Sequence, residues 1–130
     1  MSMNSKKMSH TSDYLDLIGV RKLVPLTSPF DPGYDPLTLE SHLMQSSHLI
    51  STLKISMACW QIANEKATRK KVDAARRLGL TVCTGGGPFE IAATFGKIYE
   101  FLDLCADIRF TRIEAGEGFT ETNLNPREII

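Results

Sequence analysis

The sequence has no surplus of charge of either sign, because its 130 residues include 15 basic and 15 acidic side chains. This balance argues against a dedicated nucleic-acid-binding protein, which normally carries a basic surplus. The sequence also contains no run of roughly 18 consecutive apolar residues, the length that a membrane-spanning helix needs. Its first residues are polar and do not predict a signal peptide. We therefore expect one soluble domain that has neither nucleic acid nor a membrane as its partner.

Cysteine is scarce, and Cys59, Cys83 and Cys105 lie far apart without C-x-x-C spacing. An odd number of cysteines without a close pair is typical of reduced thiols, which predicts a cytoplasmic protein. Each cysteine lies within an apolar pattern, so we interpret all three as small core residues.

The most informative stretch is residues 80–90, where an apolar run alternates with small residues and predicts a strand. Gly85, Gly86 and Gly87 follow this strand, and without a Cβ they allow a bound group to approach the backbone amides closely. Glu90 comes next, just before a new helical pattern. In α/β proteins a strand that runs into such a loop commonly carries the functional site.

The rest of the chain repeats the order of strand, loop and helix. Strands are predicted at 23–30 (short, irregular or at a sheet edge because of its prolines), at 53–59 and at 110–115. Helices are predicted at 64–78, at 97–106 and from Pro36 onwards, the last with Leu39, Leu43 and Ile50 on one face. Residues 14–20 fit either a short helix or an extended segment.

This alternation predicts an α/β protein with a parallel sheet and right-handed crossovers. A doubly wound sheet and part of a (β/α)₈ TIM barrel both agree with it. The barrel is favoured because Lys54, Glu90, Glu114 and Glu117 fall at or just after the carboxyl ends of successive strands.

A complete barrel needs about 250 residues, so this chain is long enough for about four βα units. We predict a disordered tail at residues 1–12 and the N-terminal half of a TIM-barrel domain at residues 13–130. Residues 125–128 carry a helix-start signal about one turn before the last residue. The sequence therefore predicts a domain that is truncated at the start of a helix.

Several short motifs resemble, in order, those of the phosphosulfolactate synthase family, from about Leu26 to the C-terminus. They are Leu26-Thr27 with Asp31-Pro32-Gly33, Leu53-Lys54, Arg69-Lys70-Lys71-Val72, Thr84-Gly85-Gly86 with Phe89-Glu90, and Ile113-Glu114 with Glu117-Gly118. Three features depart from the family pattern: Ser56-Met57-Ala58 replaces a G-W-G motif, Pro29 interrupts the first strand, and Arg112 replaces a residue that is usually small.

The resemblance implies a lyase of coenzyme M biosynthesis that adds sulfite to phosphoenolpyruvate with the help of Mg²⁺, giving phosphosulfolactate. It implies catalytic roles for Lys54, Glu90 and Glu114, and substrate binding by the three glycines of the loop. It also implies Mg²⁺ ligands, for which Glu114, Glu117 and Asp31 are candidates because Mg²⁺ prefers oxygen donors. The expected partners are small anionic substrates.

Other interpretations remain open at this point. Lys54 can be an end-of-strand lysine that reaches solvent, Glu90 can favour a helix N-terminus, and Glu114 can pair with Arg112. A non-catalytic relative, such as the heat-stress-associated protein of plants, and an inactive fragment are the alternative functions. An open half-barrel also leaves two unpaired sheet edges, which predicts a homo-oligomer.

Overall fold

The computed structural model describes residues 10–20 and 24–116, without the side chains of residues 57–59. The described chain contains three strands and six α-helices, numbered here in chain order. They are α1 (His10–Leu17), β1 (Phe30–Asp31), α2 (Pro36–Ser46), β2 (Thr52–Ile55), α3 (Met57–Ile62), α4 (Glu65–Arg77), β3 (Thr81–Cys83), α5 (Gly87–Thr94) and α6 (Ile98–Ile108), with a 3-10 turn at Ser47–Leu49.

The sheet has the order β1-β2-β3, and both strand pairs are parallel. Lys54 on the middle strand is level with Phe30 on one side and with Cys83 on the other. Cys83 in turn forms an isolated parallel bridge with Arg112, which extends the same direction across the sheet. The predicted α/β class is thus confirmed: helices alternate with an open parallel sheet, as in part of a TIM barrel.

The helix predictions hold because their capping and spacing signals are strong. Asp35 caps α2 by accepting hydrogen bonds from the amides of Leu37 and Thr38. Asn64 caps α4, whose inward face buries Thr68, Val72 and Ala75, and α6 buries Phe101 and Cys105. The segment at 14–20, which fitted either a helix or an extended chain, is helical as far as Leu17. This helix, α1, begins at His10 and so includes the last residues of the range predicted as a tail.

The predicted strand at 53–59 is too long, because β2 ends at Ile55 and α3 begins two residues later. The alternation of apolar residues continues past the strand, but there it belongs to a short helix. That helix carries Trp60 into the core, where 4% of the residue is exposed. Its ring packs against those of Phe101 and Phe110, at centroid distances of 6.0 and 5.0 Å. The chain thus leaves β2 at Ile55 and enters a short helix, from which Trp60 packs into the core.

The predicted fourth strand at 110–115 is also wrong in extent, because it is reduced to the single bridge at Arg112. The amides of Thr111 and Arg112 both donate to the carbonyl of Val82, at 3.1 and 3.0 Å. Two consecutive donors on one acceptor interrupt a regular ladder, as in a β-bulge. The segment nevertheless lies beside β3 in the predicted direction.

Ile50 also differs from its prediction, because α2 ends at Ser46 and Ile50 lies beyond the 3-10 turn. It reaches the core through a parallel bridge with Thr27 instead. The edge segment around Thr27 is irregular and β1 is short, as its prolines predicted. The helix-start signal at 125–128 lies outside the described residues.

The core lies between the sheet and the helices that cover one of its faces. Leu53, Ile55 and Val82 supply the sheet side, and each is at most 2% exposed. Leu39, Leu43, Val72 and Phe101 supply the helix side. No helix among the described residues is both long and apolar enough to cross a membrane. The opposite face of the sheet is not covered by these helices and carries Lys54 and Thr52.

Candidate anion-binding site

Polar side chains collect on the open face of the sheet because of its register. Residues that are level across a parallel sheet face the same side, and so do residues two apart on one strand. Lys54 therefore shares its face with Cys83 and, through the bridge, with Arg112. A cavity of about 390 Å³ lies here, lined by Ser28, Thr52, Lys54, Cys83, Arg112, Ile113 and Glu114.

The central contact of this cavity is a salt bridge of 2.8 Å between Lys54 Nζ and Glu114 Oε2. Both side chains are 41% exposed, so a ligand from solvent can reach them. The hydrogen bond with Glu114 raises the pKa of Lys54 above its ordinary value of 10.5, although partial burial opposes this shift. Lys54 is therefore a stable cation at neutral pH.

The structure shows which partners these two side chains have. Glu114 pairs with Lys54 and not with Arg112. The backbone amide of Glu114 donates to Thr84 Oγ1 at 3.3 Å, which ties this carboxylate to the end of β3. Lys54 and Glu114 are thus brought together from two strand ends, as the barrel interpretation requires.

Cys83 forms the floor of the cavity between Lys54 and Arg112. Its residue is 3% exposed, in agreement with the predicted core position. Its Sγ lies 3.7 Å from Glu114 Oε2 and can donate to it. Burial, first of all, raises the pKa of the Cys83 thiol. Cys83 is therefore a neutral thiol that adds no charge to the cavity.

The glycines of the loop allow close packing of the backbone as well as access to the loop amides. Gly85 has a φ of 79°, in the left-handed region that favours glycine. A Cβ on Gly86 would lie 2.9 Å from the Cα of Gly116 and 3.2 Å from Glu114 Oε1. The missing Cβ of Gly86 thus lets the segment that carries Glu114 lie directly against the loop. Substrate binding by the loop amides remains a prediction.

Two residues that the sequence did not assign to the site hold this loop. Thr84 is fully buried and its Oγ1 donates to the carbonyl of Gly85 at 2.9 Å. Trp60 Nε1 donates to the carbonyl of Thr84 at 3.1 Å. Trp60 lies just after β2, and a single tryptophan so near a strand end was the available signal for its role.

Asp31 lies on the other face of the sheet, level with the fully buried Ile55. Its Oδ2 lies 2.8 Å from Lys71 Nζ, and its Oδ1 accepts from the amides of Gly33 and Tyr34, at 2.9 and 2.8 Å. Asp31 is therefore not part of the cavity that contains Lys54 and Glu114.

Lys71 is a further residue whose role the sequence did not reveal, because it appeared only within the basic run of the motif Arg69-Lys70-Lys71-Val72. Its side chain is 6% exposed, and it shares the inward face of α4 with Thr68 and Val72. The helical spacing from Thr68 to Lys71 was the signal that could have revealed this buried charge.

The other two acids predicted for the site, Glu90 and Glu117, are not among the described residues that line the cavity. Glu90 lies in the first turn of α5, is 1% exposed and does not line the cavity. Glu117 lies outside the described residues. Within 10–20 and 24–116, no three histidine, cysteine or acidic residues are grouped in a way that could hold a metal ion. Glu114 is thus the carboxylate that this part of the chain offers to a cation in the cavity.

Fold and cavity together define an α/β protein of parallel βα units with a cationic, solvent-accessible site on the open face of its sheet. A family model described as (2R)-phospho-3-sulfolactate synthase (ComA) matches residues 22–129. The chain belongs to this family. It is also 27% identical, over 103 residues, to the phosphosulfolactate synthase of Methanocaldococcus jannaschii. This match covers 79% of the chain and 41% of that relative, so the chain spans about two fifths of the relative's length.

Proposed function

We propose that this protein works as a lyase of the phosphosulfolactate synthase type, adding sulfite to phosphoenolpyruvate to give phosphosulfolactate. The observation that supports this most strongly is the accessible pair of Lys54 and Glu114, in a cavity of a family member. Both substrates are anions, and a cation that stays charged at neutral pH can hold them close together.

Lys54 attracts the anions in this proposal and supplies a proton. Attack by the sulfite sulfur on the methylene carbon forms a carbon–sulfur bond and moves the double-bond electrons towards the substrate carboxylate. The adjacent carbon must then take up a proton, and the Lys54 ammonium is a donor that lines the cavity. Its contact with Glu114 orients the ammonium group before substrate arrives.

Glu114 and Glu117 are the residues that would hold Mg²⁺, together with substrate oxygens. One or two carboxylates plus substrate phosphate is an ordinary way to bind Mg²⁺, so a single carboxylate in the cavity fits this ion. When bound, Mg²⁺ supplies stabilisation of the negative charge that develops on the substrate carboxylate. Asp31 is left out of this proposed set because Lys71 and two amides already occupy its oxygens.

The proposal gives the glycine loop a role in substrate binding and gives Glu90 no first contact with substrate. The amides of Gly85, Gly86 and Gly87 bind substrate oxygens at the end of β3. Glu90 is only 1% exposed, so a direct catalytic role would require the loop around it to open. We therefore assign the first contacts with substrate to Lys54 and Glu114.

The test is sulfite-dependent consumption of phosphoenolpyruvate by the purified chain with Mg²⁺, followed by phosphorus NMR so that the product is identified. Lys54→Gln should lower the rate about a hundredfold, the size of effect of removing one preorganised charge-stabilising group. Lys97→Gln is the matched control, because Lys97 is exposed and does not line the cavity. Since the hydrogen bond with Glu114 raises the pKa of Lys54, activity should persist at alkaline pH and be lost only where the ammonium finally deprotonates.

Equal rates for Lys54→Gln and Lys97→Gln would contradict the assignment of Lys54. A second candidate function is binding of these anions without turnover, which the openness of the described sheet favours because water is not excluded from the cavity. Binding of phosphoenolpyruvate without sulfite-dependent consumption would select this second function.

A further inference from the structure

The charge of the cavity on the open sheet face is not balanced. Two cations, Lys54 and Arg112, line it, and Glu114 is the one carboxylate among the described lining residues. Glu114 is already paired with Lys54 at 2.8 Å. The polar partner of Arg112 within the described chain is a neutral hydroxyl, Thr52 Oγ1, at 3.4 Å from Nη1.

The register places the two cations on either side of Cys83. Lys54 is level with Cys83, and Cys83 is bridged to Arg112, so two strand spacings separate the cations. At about 4.8 Å per spacing, their Cα atoms lie about 10 Å apart on one face. Both side chains are long enough to lean towards a group bound above the thiol. The space between them is accessible, because Arg112 is exposed and Lys54 is half-exposed.

We propose that Arg112 and Lys54 together form a subsite for the phosphate group of an organic phosphate, with Arg112 as the specificity-determining residue. A guanidinium presents paired N–H donors that match phosphate oxygens, whereas an ammonium acts as a point charge. The hydroxyls of Ser28 and Thr52 line the same cavity and can donate to remaining phosphate oxygens. The neutral thiol of Cys83 adds no negative charge to the cavity, and the charge of the Glu114 carboxylate is offset by its salt bridge with Lys54, which leaves Arg112 as the surplus cation.

This inference rests on the proposed function for the identity of the substrate, while the phosphate subsite itself can be tested without turnover. The probe is inorganic phosphate, titrated into the full chain at constant ionic strength and followed by phosphorus NMR or calorimetry. Arg112→Gln should weaken binding about tenfold or more, as expected for the loss of charge-assisted hydrogen bonds. Arg112→Lys should lose less affinity for phosphate than Arg112→Gln, because lysine keeps the positive charge but lacks the paired N–H donors.

Arg109→Gln is the matched control, because Arg109 is an exposed arginine three residues earlier that does not line the cavity. It should bind phosphate as the unchanged chain does. Acetate serves as the second probe and should bind more weakly than phosphate. Circular dichroism of each variant checks that the exposed substitution leaves the fold intact.

The inference is overturned if Arg112→Gln binds phosphate as tightly as Arg109→Gln, if the unchanged chain binds no phosphate, or if acetate binds equally well. If phosphate binds through Arg112 but sulfite causes no loss of phosphoenolpyruvate, the subsite stands and the proposed lyase activity fails. The two failures are therefore distinguishable in one set of proteins.

Discussion

Asp31 and Lys71 show how a single charged contact can fix a loop of this molecule. Their side chains are 0% and 6% exposed and their charged atoms lie 2.8 Å apart. The same carboxylate accepts from the amides of Gly33 and Tyr34, so one residue joins β1, the loop after it and α4. The contacts of Asp31 thus give this carboxylate a structural role, whereas the sequence suggested it as a metal ligand.

We predict that Lys71→Met will lower the free energy of unfolding by about 3–5 kcal/mol, because it leaves the Asp31 carboxylate buried without its partner charge. Lys70→Met is the control at an exposed position of the same helix and should stay within about 0.5 kcal/mol of the unchanged chain. Adding Asp31→Asn to Lys71→Met should restore part of the loss, since the isolated charge is gone. Urea unfolding measures all three, and equal effects of Lys71→Met and Lys70→Met would contradict the prediction.

The loop between β3 and α5 depends on close contact between two backbone segments. Gly86 and Gly116 approach so closely that a Cβ on Gly116 would lie 2.7 Å from the carbonyl carbon of Gly86. This contact holds Glu114, two residues before Gly116, beside the end of β3. The position of the carboxylate in the cavity is therefore a property of the loop as much as of its own segment.

We predict that Gly86→Ala will destabilise the chain by about 1–3 kcal/mol through overpacking. It should also weaken ligand binding in the cavity, because its Cβ would lie 3.2 Å from Glu114 Oε1. Gly79→Ala is the contrasting variant: its surroundings are open, but its φ of 78° is strained for alanine. Gly79→Ala should lower stability and leave phosphate binding unchanged. A Gly86→Ala protein with the unfolding and binding curves of the unchanged chain would refute this account.

The sequence predicted the elements with strong local signals and misjudged those decided by distant contacts. The cap at Asp35 and the spacing along α4 were sufficient for correct helices, because both signals are local. The early end of the second strand is accompanied by the packing of Trp60, and the fourth strand is interrupted where Thr111 and Arg112 share the carbonyl of Val82. Such contacts join residues far apart in the chain, so alternation alone could not reveal them.

The candidate site also has features that the sequence predicted and features that it did not. The gathering of Lys54 and Glu114 follows from strand direction alone, and the structure brings the two side chains together. The face on which Asp31 lies depends on register, which a short and irregular strand leaves undetermined in the sequence. The buried position of Lys71 was hidden in a basic run that otherwise faces solvent.

At the scale of the whole molecule, the described sheet is open at two sides. β1 is one outer strand, and the segment at Arg112 lies at the other end of the sheet order. Open parallel edges present unpaired donors and acceptors to other chains. Phe30 on the outer strand is also 63% exposed, which adds an apolar surface at this edge.

We therefore predict that the chain self-associates in solution, with sedimentation showing a mass that rises with concentration. Phe30→Lys should shift the distribution towards monomer, because a charge on an edge strand opposes pairing. Phe95→Lys is the control, since Phe95 is 74% exposed but caps the end of α5 and is not part of a strand. A single monomeric species of the unchanged chain at all concentrations would rule this prediction out.

The hydrogen bond from the indole of Trp60 to the carbonyl of Thr84 also has an optical consequence. Trp60 is the one tryptophan in the sequence, so all indole emission of this protein comes from that position. Its ring is shielded from water at the point where β3 passes into the glycine loop. The colour and intensity of that emission therefore report directly on whether the loop shifts when an anion enters the cavity, without any attached dye.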